Sequence, residues 1–322
     1  MAMIETINLC KEYGELVALN NLNLTIQPGD CYGFIGPNGA GKTTTIKILA
    51  TLLKPTRGQA MIDGLTVGYE NRKIRPRIGY VPDFMGAYED MVVAEYLEFF
   101  AAAYGIHGNE RRRVVGDVLE LTDLTYKATA EVNSLSRGMQ QRLSVARVLL
   151  HDPKVLLMDE PASGLDPRAR IEVRELLKEL KRMGKTIIIS SHILHELAEL
   201  CNVVGIIERG ELVYSGSVSE ILKRARVERT IRIVVLDRFE EAIGLLRAAP
   251  GVTRVDLSEE DDPWHDNIRR PVMLVSFEES AASEVSDLPN RLVNQGLRLV
   301  EFSETKVNLE TAFMRLTQGL VQ

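Results

Sequence analysis

Residues 36–44 read Gly36-Pro37-Asn38-Gly39-Ala40-Gly41-Lys42-Thr43-Thr44. Every fixed position of the pattern G-x-x-x-x-G-K-[ST] is met, and that pattern demands a buried strand before it and a helix after it. Both flanks comply. Cys31-Tyr32-Gly33-Phe34-Ile35 is a short apolar run that follows a turn at Gln27-Pro28-Gly29-Asp30. Behind the loop, Ile46, Leu49, Ala50 and Leu53 recur at helical spacing, which predicts a helix over 42–53. Such a glycine-rich loop curls backbone N–H groups around phosphates, and the helix that leaves it adds the positive end of its dipole. The spacing therefore implies a nucleoside triphosphate held by residues 36–44. Lys42, expected to stand exposed on the loop, supplies charge for the β- and γ-phosphates. Thr43 offers a hydroxyl to Mg²⁺.

A second acidic site fits the same ligand. Lys154-Val155-Leu156-Leu157-Met158 is uniformly apolar, as a strand covered on both faces must be, and it runs into Asp159 and Glu160. Carboxylates at the C-terminal end of such a strand lie where open α/β sheets bind ligands. Asp159 suits a Mg²⁺ shell, and Glu160 is placed to polarise an attacking water. Another buried strand over 186–190 ends at Ser191-His192. His192 reads either as a γ-phosphate contact or as an ordinary strand-end histidine.

The remaining organisation is α/β. Residues 4–9 and 17–26 alternate like strands around a turn at 11–14, predicting an antiparallel layer ahead of the loop. Tyr13, in that turn, is either a half-buried aromatic or a stacking platform for a base. Short strands are expected over 59–62 and 77–81. A helical insertion over about 84–150 carries helices at 94–104, 110–121 and 136–150. A long helix over 169–183 is closed by Gly184, and a hairpin turns at Arg209-Gly210. The composition shifts near 224–229. From 226 to 322 the order is β-α-β-β-α-β, with strands at 230–236, 252–257, 272–277 and 297–302 and helices at 239–248 and 281–295. That is a split βαβ, ferredoxin-like unit. The acidic loop at 259–264 is expected to be a solvated connection.

With 322 residues the chain has room for two domains, 1–225 and 226–322. A formal net charge of −6 argues against a broad nucleic-acid surface. Cys10, Cys31 and Cys201 lack metal-type spacing and are expected to be buried reduced thiols. No secretory leader is visible, and no apolar run approaches the ~18 residues of a membrane span. Any work at a membrane would need another chain to supply the spans.

Taken together, the loop, Leu135-Ser136-Arg137-Gly138-Met139, Leu156-Leu157-Met158-Asp159-Glu160-Pro161, Ser163-Gly164-Leu165-Asp166 and Ser191-His192 stand in an order that resembles ABC transporter ATP-binding proteins. The resemblance covers about the first 220 residues, and the 135–139 segment separates these proteins from other P-loop ATPases. The added C-terminal unit resembles the subgroup that exports drugs, antibiotics and polysaccharides. The resemblance implies an ATPase that sandwiches ATP and Mg²⁺ between two copies and drives an integral-membrane permease from the cytoplasmic face. It implies that Tyr13 stacks on adenine, that Gly36 to Thr44 bind phosphates, and that Thr43 and Asp159 flank Mg²⁺. It makes Glu160 the general base and His192 the γ-phosphate switch. Ser136 and Gly138 would reach the partner protomer's nucleotide, Asp166 would line the dimer seam, and residues 84–88 would dock the permease. The sequence departs from the family pattern twice. Arg137 replaces a glycine, and Asp83 stands where the Q-loop glutamine falls, as a candidate Mg²⁺ ligand. A competing reading, a soluble ABC ATPase acting on nucleic acid or ribosomes, lacks the long coiled coil or the tandem cassette it would need.

Overall fold

The computed structural model describes residues 2–83, 91–191, 197, 199–217, 220, 229–261, 269–277 and 285–305. The expected docking segment 84–88 and His192 lie outside these residues. The chain divides into two compact units, Met1–Val218 and Ser219–Gln322. The expected junction at 225/226 falls outside the described residues.

The first unit is built on two sheets. The smaller is antiparallel, in the order β2-β1-β4-β5, and comprises β1 (Ile4–Tyr13), β2 (Leu16–Ile26), β4 (Arg57–Ile62) and β5 (Leu65–Thr66). The expected turn at 11–14 narrows to Gly14-Glu15, because Tyr13 still pairs with Leu16. The larger sheet runs β10-β9-β3-β8-β7-β6. Its strands are β3 (Cys31–Ile35), β6 (Ile78–Val81), β7 (Val155–Asp159), β8 (Thr186–Ser191), β9 (Val203–Glu208) and β10 (Glu211–Ser217). All pair in parallel except the edge hairpin β9–β10, which turns at Arg209-Gly210 as read from the sequence. Each residue of β3, β7 and β8 is buried, and parallel strands without polar breaks need cover on both faces.

Part of that cover is α1 (Lys42–Leu49), which touches β2, β4 and β7 and buries Ile46, Ile48 and Leu49 completely. Each such side chain contributes about 1.5–3 kcal/mol relative to exposure. The helix stops before the expected Leu53. Thr51 turns left-handed at φ 62°, and the N–H groups of Leu52 and Leu53 both donate back to the Lys47 carbonyl. A short α2 (Asn71–Ile74) leads toward β6.

The helical layer holds α3 (Val93–Ala103), α4 (Gly108–Leu121) and α5 (Arg137–Leu149), within two residues of the expected bounds. Arg142 on α5 is buried. Its Nη1 donates to the Thr122 and Asp123 carbonyls at 2.9 and 3.0 Å, and its Nη2 lies 3.3 Å from a Glu172 carboxylate oxygen. Glu172 belongs to α6 (Pro167–Arg182), so one guanidinium joins the helical layer to the core. Gly184, at φ 79°, follows α6 as its left-handed stop. The three cysteines are free and buried, as expected. Among the described residues no helix is long and apolar enough to cross a membrane.

The second unit has the order β11 (Arg229–Val235), α7 (Phe239–Arg247), β12 (Val252–Asp261), β13 (Arg269–Phe277), α8 (Leu288–Asn294), β14 (Leu299–Thr305). Its sheet is antiparallel, β12-β13-β11-β14. Alternate residues Ile231, Ile233 and Val235 meet Met273, Val275 and Phe277 in one core with Ala242, Leu246 and Leu292. The run 259–261 is strand, not the expected loop. The backbone of Glu259, Glu260 and Asp261 pairs with that of Pro271, Arg270 and Arg269, and ladder hydrogen bonds do not require apolar side chains.

His151, just past α5, ties the helical layer to the strand that leads to Asp83. Its Nε2 lies 2.9 Å from the Ile78 carbonyl, and its ring stacks 4.2 Å from that of Tyr104. Burial holds this imidazole below its ordinary value near 6.5, opposed by the Ile78 bond and Asp152 and reinforced by Lys185. A depressed folded pKa means that the unfolded chain takes up the proton first as pH falls. Stability from His151 is therefore complete above about pH 6.5 and declines as pH drops toward the folded value. His151→Gln should flatten that acid-side decline in urea unfolding measured from pH 7.5 to 5. An unchanged slope would remove His151 from the account.

Candidate active site

The strand register assembles the site. Asp159 of β7 lies opposite Ser190 of β8, and Ser191 lies opposite Ile35, the last residue of β3 before the loop. Three strand ends therefore arrive together at the carboxyl edge of the sheet.

The loop leaves no room for larger residues where it matters. Gly41 caps α1 at φ 110°, and a Cβ there would lie 2.7 Å from the Ala18 carbonyl oxygen and from Leu19 Cδ2. A Cβ on Gly36 would run into the Ile207 carbonyl. The antiparallel sheet and β9 thus brace the loop from two sides.

Lys42 is buried, 5% exposed, against the expectation of an exposed loop cation. Its Nζ donates to the Gly36 and Pro37 carbonyls at 2.7 and 3.1 Å and stands 3.5 Å from Glu160 Oε1. The side chain folds back into the loop because its own carbonyls line the cradle. Thr43 Oγ1 donates to Asp159 Oδ1 at 3.0 Å, and Ser190 Oγ donates to the same oxygen at 2.7 Å. The Glu160 N–H donates to Ser190 Oγ at 2.9 Å, and the Glu160 carbonyl accepts from the Ser163 N–H at 3.0 Å. These bonds hold Glu160 in a left-handed conformation, φ 50°, which costs a non-glycine residue about 1 kcal/mol or more. Ser190 is a site residue that the sequence reading missed. Its signal was a hydroxyl ending the apolar run Ile187-Ile188-Ile189.

A cleft of about 490 Å³ opens over these groups. Residues 38–44 wall it together with Tyr13, Asp83, Glu160 and Ser163, and Leu16 and Ala18 add apolar surface. Tyr13 is 45% exposed, with Lys11 Nζ 5.0 Å from its ring centre. The Asp83 carboxyl is held above its usual range by burial and by repulsion from Asp159 and Glu160, while Arg137 pulls the other way. Burial and the Asp159 and Asp83 charges likewise push the Tyr80 phenol up to about 12. Asp83 and Glu160 on the cleft wall, with Asp159 beside them, thus set carboxylates against the Lys42 ammonium. A hydroxyl, one or two carboxylates and phosphate oxygens are what Mg²⁺ takes, without an all-protein cage. Thr43, Asp159 and Asp83 offer that donor set.

Gly36, Pro37 and Asp159 are not among the residues that wall this cleft, and neither are the expected site residues Ser136, Gly138 and Asp166. Ser136 caps α5, accepting from the Met139 N–H at 3.3 Å. Gly138 is packed so that a Cβ would lie 2.6 Å from Ala169 Cβ. Asp166 caps α6, accepting from the Arg168 and Ala169 N–H groups at 3.0 Å each.

Residues 19–163 match the family model described as ABC transporter. The chain is 33% identical to the Nod factor export ATP-binding protein I of Cupriavidus pinatubonensis, over 98% of this chain and 91% of that one. This chain belongs to the ABC transporter family. It is an ATP-binding subunit and an ATPase. The linearmycin resistance ATP-binding protein of Bacillus subtilis is 29% identical over 98% of both chains. Among solved structures, the dimeric post-hydrolysis ATP-binding cassette MJ0796 bound to ADP and Pi superposes with a TM-score of 0.61. It shares 29% identity and covers 67% of this chain and 99% of that one.

Within this ATP-binding subunit, Lys42→Ala removes a cation that faces both the loop and Glu160. ATP affinity should fall about tenfold or more, since bonds to a charged group are worth ~1.5–3 kcal/mol. Calorimetric titration with ATP checks it, and an unchanged affinity would contradict the assignment.

Proposed function

We propose that this chain energises an exporter: two copies close on ATP and, on hydrolysis, drive a separate integral-membrane permease from its cytoplasmic side. The observation that carries the reading is the convergence of Lys42, Thr43, Asp159 and Glu160 at one strand edge. The full-length likeness to export and resistance ATP-binding proteins supports the direction of transport. A reading as a nucleic-acid ATPase finds no support.

In this reading the loop N–H groups and Lys42 hold the β- and γ-phosphates, and Tyr13 stacks on the base. Thr43, Asp159 and Asp83 hold Mg²⁺. Bound Mg²⁺ offsets charge on the phosphate oxygens during transfer. Glu160 accepts a proton from the attacking water, and its fixed backbone keeps the carboxylate aimed at one point. His192 contacts the γ-phosphate. Ser136, Gly138 and Asp166, away from the protomer's own cleft, complete the partner's. The dimeric cassette among the solved structures supports the pairing of two copies.

Glu160→Gln should retain ATP, hydrolyse it at least about a hundredfold more slowly, and accumulate as a dimer. Light scattering in saturating Mg-ATP, with and without the co-expressed permease, reads this. A monomer under both conditions would refute the sandwich.

Asp83 adds a charge where the family has an amide. Without metal that charge opposes the triphosphate, and with metal it favours it, so the Mg²⁺ dependence of ATPase activity should be steep. Asp83→Gln should bind metal-free ATP more tightly than the parent and keep its turnover, while Asp83→Ala should lose Mg²⁺-dependent turnover. Superimposable Mg²⁺ titrations of all three proteins would reduce Asp83 to a capping residue.

A further inference from the structure

Arg137 stands in the signature segment where the family pattern has glycine, and neither the fold nor the phosphate chemistry explains why. It is the first helical residue of α5, and its backbone leaves Ser136 to cap the helix. Its side chain turns toward the segment that follows Glu160. The guanidinium lies flat across Gly164. A Cβ built on that glycine would fall 2.7 Å from Arg137 Cζ and 3.0 Å from Nη2. Gly164 itself is left-handed at φ 64°. It belongs to a tight pair of turns, Ser163 N–H to the Glu160 carbonyl at 3.0 Å and Leu165 N–H to the Ala162 carbonyl at 3.4 Å. Those turns connect the strained Glu160 to Asp166, the cap of α6. One residue along, Gly138 seats directly on Ala169 in the first turn of α6. The N-terminus of α5 therefore grips the 160–169 segment at two successive points, the guanidinium on Gly164 and the bare Gly138 on Ala169. The first of these contacts is made by the planar end of an otherwise exposed side chain. A lysine stem carries a rotating point charge and cannot lie as a plate on a backbone.

We propose that Arg137 is a positioning residue for hydrolysis: its guanidinium plate clamps the turn at Gly164 and thereby fixes the backbone that aims Glu160. The Arg137 charge also faces Asp83, but the clamp is a matter of shape. The proposal rests on the reading of Glu160 as the base. It places the effect in turnover at the protomer's own cleft, which neither Arg137 nor Gly164 walls, and a role at the partner's cleft beside Ser136 and Gly138 is the alternative that the test separates.

The test is a steady-state ATPase cycle on the full chain: parent, Arg137→Ala, Arg137→Lys, Gly164→Ala and the Arg137→Ala/Gly164→Ala double variant, with thermal midpoints confirming folding. Arg137→Ala and Arg137→Lys should each lower kcat about tenfold, since small misplacements of a catalytic group are costly, while KM for Mg-ATP stays within about twofold. Gly164→Ala, which both displaces the guanidinium and strains a left-handed backbone, should lower kcat at least as much. The double variant should be no worse than the worse single, as expected for residues acting through one contact. Multiplying losses would mean independent routes, such as Arg137 acting on the partner protomer's phosphates, and would overturn the proposal. Full kcat in Arg137→Lys would overturn it in favour of charge, and a raised KM with unchanged kcat would overturn it in favour of nucleotide binding. Should Gly164→Ala fail to fold, the split between kcat and KM and the lysine variant still decide. Failure of the base reading is separate, since it appears as undiminished hydrolysis in Glu160→Gln.

Discussion

Much of the first unit depends on one carboxylate oxygen. Asp159 Oδ1 accepts from Thr43 on the first turn of α1 and from Ser190 at the end of β8. Ser190 in turn accepts from the Glu160 N–H. A buried acid is tolerable only when its lone pairs are met, and here the same bonds that satisfy it bind three segments far apart in sequence. The parallel register delivers the parts to the same edge. The hydroxyls then set their spacing to within a hydrogen bond's tolerance. Losing either hydroxyl would leave an under-satisfied charge in the core and a loosened loop at once, so stability and chemistry share these groups.

The fold was legible where period and punctuation agree. β3, β7 and β8 show as uninterrupted apolar runs. Gly184 and Arg209-Gly210 mark stops that the structure honours. Element ends were less legible, because they are set by tertiary bonds: α1 ends at Leu49 when two N–H groups return to Lys47, a choice no apolar period encodes. The strand at 259–261 hid behind its acids, since pairing is a property of backbone and neighbour.

At the site, the residues with a fixed spacing were readable and those with only a spatial reason were not. Lys42, Thr43, Asp159, Asp83 and Glu160 lie together at one strand edge. Ser190 carries no spacing signature, because its partners sit 31 and 30 residues away. Arg137 was visible as a departure, yet the reason for it, a left-handed glycine under its guanidinium, exists only once α5 and the 160–169 turn come together. The burial of Lys42 was likewise invisible: whether a loop cation faces solvent depends on how tightly the loop closes on itself.

The two ends of the cleft are made of different material. At one end the loop is wedged between the Ala18 carbonyl, Leu19 and Ile207, so its curvature is not adjustable. At the other, Tyr13 and Leu16 sit at the tip of a hairpin, 45% and 66% exposed, and offer a ring face and aliphatic surface. Discrimination needs buried polar groups that a wrong ligand leaves unpaired, and among the described walls the buried Lys42 stands at the loop end. If the proposed reading holds, fixed and buried groups would meet the phosphate tail and exposed surface would meet the base, so the cleft would tolerate a change of base more readily than a change in phosphate number.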